Sequence, residues 1–264
     1  MPLTDKDPAA SEAHSPAQCH LSLIIPSYNG ASLLPNSILQ ASEFLRQKSY
    51  SSEIIVVDDG STDATPDVLR QHSDRIVVVR NERNRGKGYS VRRGMLAAKG
   101  EYILFTDADL PFGLEPIDTF LRYLDVKEFD LVLGARDVPL AGSKTRRPLH
   151  RKFLSRVFQS FVSRVVVTGV TDTQCGLKGF RRKAAREIFS RCKIDGFAFD
   201  VEAIYLAFKM NLDVKRCPVV LQRHDQTTVR LGRDPFLMGC DVLRIWFYYH
   251  TGQYQIDSAA NERS

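Results

Sequence analysis

The sequence predicts an α/β fold, with a mostly parallel sheet covered by helices on both faces and a C-terminal amphipathic helical extension. Short apolar runs alternate with helix-patterned segments, and the runs are continuously apolar rather than alternating. Such strands are typical of parallel sheets that are buried on both faces. Hydrophobic residues make up 43% of the 264 residues, which suffices for a sizeable core. This length fits one large domain or two small ones, and the unbroken alternation favours one.

The alternation runs through five predicted strands and the helices between them. The strands are "LSLIIPSYN", "SEIIVVDDGSTD", "RIVVVRN", "YILFTDADL" and "DLVLGAR". The helices cover about 32–48, 65–72, the segment that ends at Gly100, and 116–124. We expect a tail over residues 1–20, one domain over 21–235, and a C-terminal amphipathic helix and tail over 236–264.

Composition restricts the compartment and the partners. The net charge of +6 favours an anionic partner, which is a phosphate-bearing ligand, an anionic membrane surface or a nucleic acid. The five cysteines are scattered without a C-x-x-C pair, which argues against a zinc site and a disulfide framework. Residues 1–20 lack the apolar core of a secretory signal, and no apolar stretch reaches membrane-spanning length. We therefore expect a cytoplasmic protein, peripheral at the cytoplasmic membrane face if it binds lipid.

The stretch "ILFTDADLPF" ends an apolar strand in two carboxylates, Asp107 and Asp109. Two like charges so close repel each other, and a divalent cation between them removes the repulsion. Mg²⁺ binds one or two protein carboxylates and completes its shell with water and phosphate oxygens. The pattern therefore predicts Mg²⁺ or Mn²⁺ bound together with a diphosphate. A surface turn with helix-capping aspartates is the alternative.

Other polar clusters also follow predicted strands and should converge on one sheet edge, where α/β proteins bind ligands. These clusters are Ser27 to Asn29, Asp58 with Asp59, Asn81 to Lys87, and the Asp107/Asp109 pair. A carboxylate there can accept a hydrogen bond from a nucleobase or a ribose. The segment "NRGKG" adds Arg85 and Lys87 near a helix start, which suits anionic oxygens. Ser61, Thr62 and Asp63 are typical of a helix N-cap.

Together these motifs resemble family 2 glycosyltransferases of the GT-A fold. The resemblance rests on "LSLIIPSYN", "EIIVVDDGSTDAT", "NRGKGYSVRRGM", "GEYILFTDADL", "GAR" and "TDTQCGLKGFRR", in this order from about Leu21 to Arg230. Within the family the motifs most resemble the polyprenyl-phosphate hexosyltransferases. "DTQCG" and "NRGKG" are similar to the dolichyl-phosphate glucosyltransferase branch.

The resemblance implies a nucleotide-sugar site. The residues implied to hold the nucleotide sugar are Pro26, Tyr28, Asn29, Asp58, Asp59, Arg85, Lys87 and Asp107, with Arg223 and Arg230 on a basic loop that closes over the diphosphate. Asp107 and Asp109 would hold Mg²⁺ or Mn²⁺. The mannose branch has a metal-binding Gln where this chain has Pro111. This difference weakens the mannose assignment.

The acceptor side is basic. Residues 138–171 contain no acidic residue, and an amphipathic helix from His150 either lies at a membrane surface or packs on the core. The resemblance implies that Arg136 and Arg151 bind the acceptor phosphate. Asp200 and Glu202 suit the positive end of a helix. The resemblance implies that Asp200 is a general base or, with an acceptor phosphate that is already anionic, positions the acceptor or a basic residue. The residues predicted to be catalytic are Asp109, Asp200, Arg136 and Arg151.

We therefore expect a metal-dependent, inverting hexosyltransferase. The donor is UDP-glucose first and GDP-mannose next, and the acceptor is a polyprenyl or dolichyl phosphate. The same fold with a soluble acceptor is the alternative. A nucleic-acid-binding module would explain the charge but not the carboxylates at the ligand edge, so we expect no nucleic acid partner. The aromatic group Trp246 to Tyr249 suits a membrane interface, core packing or a dimer contact.

Overall fold

The fold was obtained as a computed structural model, which describes residues 19–136, 173–222 and 233–256. Within these ranges the strands are β1 Leu21–Ser27, β2 Ser52–Asp58, β3 Val77–Arg80, β4 Tyr102–Thr106, β5 Leu131–Ala135, β6 Leu177–Arg181 and β7 Val214–Pro218. The helices are α1 Leu34–Arg46, α2 Thr65–Gln71, α3 Lys87–Ala97, α4 Pro116–Asp125, α5 Arg182–Phe189, α6 Phe199–Lys209 and α7 Arg233–His250.

The seven strands form one mixed sheet in the order β3-β2-β1-β4-β6-β5-β7. Strands β3, β2, β1 and β4 are parallel to one another, and β5 is parallel to β7, which confirms the mostly parallel sheet. Strand β6 is antiparallel to both β4 and β5. Between Cys175 and a helix that starts near Lys183, the sequence predicts a loop, but the structure has β6 there. Lys178 and Gly179 interrupt the apolar pattern of this strand, so the sequence did not indicate it. The sequence also predicts a strand over "CPVVLQ", and the structure places that strand earlier, at β7.

The core lies on both faces of this sheet, because successive side chains of a strand point to opposite faces. Leu23 and Ile25 of β1 pack with helices α1, α2 and α4. Ile24, between them, packs with helices α3, α5 and α6 on the other face. Helices on both faces are therefore confirmed.

Helix α7 confirms the expected C-terminal helix and packs on α6 through Val242 and Ile245. The aromatic group divides between core and surface. Tyr248 and Tyr249 pack against the core, whereas Trp246 and Phe247 are exposed. No helix among the described residues is long and apolar enough to cross a membrane.

Candidate active site

The two carboxylates after β4 stand half-exposed at the edge where the parallel strands end. The chain turns sharply behind them, because the Leu110 N–H donates to the Asp107 carbonyl and Leu110 has a φ of 48°. Asp107 Oδ1 lies 2.5 Å from Lys87 Nζ, at the first position of α3. The structure thus brings the D-x-D pair and the "NRGKG" lysine together.

Lys87 is the positive centre of a group of acidic side chains. Its burial acts to lower the pKa of the ammonium group, but Asp107, Asp200 and Asp109 outweigh that effect and raise the pKa. Lys87 therefore stays charged at the sheet edge. The ammonium group of Lys87 lies against Asp107, at a position that suits a positive charge. It can also contact anionic oxygens of a ligand.

The carboxylate pair fits Mg²⁺ or Mn²⁺ by its chemistry. Hard divalent cations prefer oxygen ligands, and Mg²⁺ retains water and phosphate oxygens when the protein supplies only one or two carboxylates. Among residues 19–136, 173–222 and 233–256, no three His, Cys, Asp or Glu side chains form a metal-holding group. A cation at this edge would therefore depend on a ligand such as a diphosphate for the rest of its shell.

Gly176 is a site residue that the sequence reasoning missed. Antiparallel β6 begins where β4 ends, and Thr106 pairs with Leu177, so Gly176 lies beside Asp107. A Cβ at Gly176 would collide with the Asp107 carboxylate. Glycine therefore leaves room for the carboxylate in the position that it has beside Lys87, and the one local signal was the glycine in "DTQCG".

Asp58 and Asp59 are buried, and protein groups already contact their carboxylates. Asp59 Oδ1 accepts hydrogen bonds from Asn81 Nδ2 at 2.7 Å and Arg85 N at 2.9 Å, and its Oδ2 accepts one from Gly86 N at 2.8 Å. Asp59 thus fixes the start of the "NRGKG" loop. Asp58 Oδ1 accepts a hydrogen bond from Ser61 N, and Oδ2 lies 3.2 Å from Arg80 Nε. Direct contact of these two residues with a nucleoside stays a prediction.

Of the three residues expected to cap helix α2, only Asp63 bonds a backbone N–H group at its start, that of Thr65. The cap position itself is Ala64, whose side chain makes no capping hydrogen bond. Ser61 Oγ instead accepts a hydrogen bond from Asn29 N at 2.8 Å, and Asn29 Oδ1 accepts one from Thr62 N at 2.9 Å. Asp63 bonds the N–H groups of Ala31 and Thr65. These bonds join the loops after β1 and β2.

The loop after β1 presents one large side chain at this edge. Tyr28 is 48% exposed, whereas Pro26 is buried within β1 and pairs with Val57. Asn29 is exposed and has a φ of 51°. The predicted nucleoside residues Tyr28 and Asn29 are therefore accessible to a ligand, and Pro26 shapes the strand beneath them.

Behind the carboxylate pair lies a buried ion pair that the sequence reasoning did not find. Lys178 Nζ on β6 lies 2.6 Å from Asp200 Oδ1 on α6 and also donates to the Cys175 carbonyl. Burial raises the pKa of Asp200, although Lys178 and Lys87 oppose that rise. Asp200 is in the first turn of its helix, as predicted.

Arg136 follows β5 and is half-buried. Arg151, Arg223 and Arg230 lie outside the described residues, so their predicted roles stay predictions. The chain just before Arg223 approaches the D-x-D turn, since Gln222 N donates to the Pro111 carbonyl at 2.8 Å. Cys175 is buried.

Comparison with known proteins places these features in context. The model of the family "Glycosyl transferase family 2" matches residues 22–189. The chain is 35% identical to the dolichyl-phosphate beta-glucosyltransferase of Dictyostelium discoideum, over 90% of this chain and 77% of that protein. It is 32% identical to the dolichyl-phosphate beta-glucosyltransferase of Homo sapiens, over 90% of this chain and 78% of that protein.

Solved structures share the fold. A crystal structure of glucosyl-3-phosphoglycerate synthase from Mycobacterium tuberculosis in complex with UDP superposes with a TM-score of 0.64 at 17% identity, covering 92% of this chain and 83% of that one. Another crystal structure of that synthase contains Mn²⁺, UDP-glucose and phosphoglyceric acid. The similarity covers most of this chain and supports the GT-A fold.

Proposed function

Because the chain belongs to glycosyl transferase family 2, we propose that it transfers glucose from UDP-glucose to dolichyl phosphate or a related polyprenyl phosphate. The curated relatives at 30–35% identity carry the name dolichyl-phosphate beta-glucosyltransferase, which supports the sugar and the acceptor. The observation that carries the proposal is the position of Lys87, which lies between the loop that Asp59 holds and the Asp107 carboxylate.

The donor site would lie at the carboxyl edge of β1, β2 and β4. Asp107 and Asp109 would hold Mg²⁺ or Mn²⁺, which when bound supplies positive charge to the donor diphosphate. Tyr28 and Asn29 would contact the nucleoside, with Asp58, Asp59 and Pro26 shaping its pocket. Arg85 and Lys87 would lie against the phosphates, near the first turn of α3.

The transfer is a single displacement at the anomeric carbon. An oxygen of the acceptor phosphate forms the new bond to this carbon, while the bond to the nucleoside diphosphate breaks and the leaving group takes the electron pair. Lys87 stabilises the negative charge that develops on the departing diphosphate. The acceptor phosphate is already anionic at neutral pH, so the reaction needs no strong base.

On the acceptor side, Asp200 is a positioning group. It is held by Lys178 at 2.6 Å and can orient a basic residue toward the incoming phosphate. Arg136 and Arg151 would bind that phosphate, because a guanidinium group pairs with two phosphate oxygens at once. Arg223 and Arg230 would close over the donor diphosphate. A peripheral membrane location follows from a lipid acceptor.

A transfer assay tests this proposal. The purified protein is given UDP-glucose or GDP-mannose with Mn²⁺, together with either a polyprenyl phosphate or soluble phosphorylated acceptors. We expect glucose transfer from UDP-glucose to the polyprenyl phosphate and its loss in Asp109→Asn. Glucose transfer only to a soluble acceptor would contradict the lipid assignment, and mannose transfer would contradict the donor assignment.

A further inference from the structure

Glu202 is a fully buried carboxylate to which the transfer mechanism assigns no role. Its Oε1 accepts hydrogen bonds from Lys193 N at 2.8 Å and from the Tyr254 hydroxyl at 2.7 Å, and its Oε2 accepts one from Ile194 N at 2.9 Å. Burial raises the pKa of Glu202, and the three hydrogen bonds oppose the rise. Burying a carboxylate is costly unless donors satisfy it, so this arrangement requires an explanation.

The segment that Glu202 holds, residues 193–196, packs directly on the donor loop, residues 84–89. The Asp195 carbonyl accepts a hydrogen bond from Tyr89 N at 3.2 Å. The Asp195 carboxylate accepts one from Arg92 Nη2 at 2.8 Å and lies 3.7 Å from Arg85 Nη2. The two segments are thus joined through backbone and charge on both sides of Lys87.

Two glycines make this contact very close. A Cβ at Gly86 would lie 2.5 Å from the Asp195 carbonyl oxygen, and Gly86 has a φ of 104°. A Cβ at Gly88 would lie 2.5 Å from the Ile194 carbonyl oxygen and 2.8 Å from that of Gly196. Because the backbones touch without intervening side chains, a shift of residues 193–196 moves the backbone around Lys87 as well.

The other side of residues 193–196 faces α7. Ile194 packs in the core with Val242 and Ile245 of α7. Beside it, among the described residues, a cleft of about 510 Å³ lies between the segment and α7, lined by Phe197, Met238 and Asp241 among others. The hydrogen bonds to Glu202 therefore anchor the backbone at Lys193 and Ile194, next to a part of the segment that borders a cleft.

We propose that Glu202 is a positioning residue for the donor site, which fixes Lys87 through residues 193–196. Tyr254 extends the connection to the chain after α7, because its hydroxyl donates to the same carboxylate. The expected effect of Glu202 on donor affinity rests on the proposed function, whereas its expected effect on the order of residues 84–89 does not.

The main test variant is Glu202→Gln, which keeps the shape but turns an amide nitrogen toward a backbone N–H. One charge-assisted backbone hydrogen bond is lost, and such bonds are stronger than those between neutral groups. In the absence of nucleotide, amide hydrogen exchange over residues 84–92 should accelerate by about tenfold. The dissociation constant for UDP with Mn²⁺ should rise by about the same factor, while the KM for the acceptor stays unchanged.

Two tyrosine variants provide a matched pair in case Glu202→Gln does not fold. Tyr254→Phe and Tyr102→Phe each remove one hydrogen bond from a buried tyrosine to a carboxylate, Glu202 and Asp125 respectively. Only Tyr254→Phe should accelerate exchange over residues 84–92. Equal exchange in both variants and in the wild type would overturn the proposal. If the wild type does not bind UDP with Mn²⁺, the donor assignment fails, and the exchange result still decides whether Glu202 orders the loop.

Discussion

Gly176 lies where any side chain would reach the carboxylate of Asp107. In Gly176→Ala the new Cβ must push that carboxylate away from Lys87. We expect the dissociation constant for UDP with Mn²⁺ to rise at least about tenfold, which corresponds to about 1.4 kcal/mol. Gly239→Ala is the control, because its Cβ would meet nothing within 4 Å. Titration calorimetry checks this, and unchanged affinity in Gly176→Ala would show that the carboxylate tolerates displacement.

Lys178 and Asp200 form the buried ion pair behind the site. Lys178→Met leaves Asp200 as a buried, unpaired charge, which should lower the free energy of unfolding by roughly 3–5 kcal/mol. Adding Asp200→Leu removes that charge, so the double variant should recover much of the stability but no transfer activity. Urea unfolding and the transfer assay measure the two effects. Additive losses of stability in the double variant would contradict the pairing.

Among the elements, strand β6 could not be predicted from its local sequence pattern. Lys178 is buried only because Asp200, which is 22 residues away, neutralises it. Gly179 pairs with Leu104 and sits against Phe120, so it fills a place where a larger side chain would not fit. Both conditions depend on contacts distant in sequence. The apolar runs of β1, β2 and β4 need no such partner, and their strands and terminal aspartates could therefore be predicted.

The turn after β2 gives a second example at the same scale. Ser61 and Asp63 are residue types that cap helices, and local sequence predicts that role. In the fold, the neighbouring loop after β1 supplies competing N–H groups, that of Asn29 to Ser61 and that of Ala31 to Asp63, and of the two only Asp63 also bonds the start of α2, at Thr65. The location of these residues at the ligand edge was predictable, whereas their partners were not, because those partners come from another strand.

The contact between α6 and α7 makes stability depend on alkaline pH. Burial, with Tyr249 beside it, raises the pKa of Tyr205 to about 12. The folded chain therefore holds this proton more tightly than the unfolded chain. The contribution of Tyr205 to the free energy of unfolding is complete below about pH 10 and is lost as the pH rises toward 12. Between about pH 9 and pH 11 the free energy of unfolding falls by roughly 1 kcal/mol for this reason.

Urea unfolding at these two pH values measures that loss. Tyr205→Phe should reduce the difference in unfolding free energy between them. Tyr28→Phe removes an exposed phenol and is the control. An equal pH dependence in wild type and Tyr205→Phe would contradict the assignment of this loss to Tyr205.

At the scale of the whole molecule, the fold converts distant sequence motifs into one site. Parallel strands bring their carboxyl ends to the same edge, so Tyr28, Asp59 and Asp107 meet although they are far apart in the chain. The antiparallel β6 adds Gly176 and Lys178 to that edge. The net charge of +6 indicated an anionic partner without identifying it, and the convergence of these groups supports the proposed nucleotide sugar.

The proposed donor site binds UDP-glucose through a metal at Asp107 and Asp109, and calorimetric titration with UDP-glucose measures this dependence. Titrations are compared with Mn²⁺, with the metal chelated, and in Asp109→Asn. Asp118→Asn is the control, because Asp118 pairs with Lys48 on the surface, 2.6 Å away. We predict that chelation and Asp109→Asn each weaken binding by roughly a hundredfold, while Asp118→Asn has no effect. Binding that persists unchanged without metal and in Asp109→Asn would contradict the account.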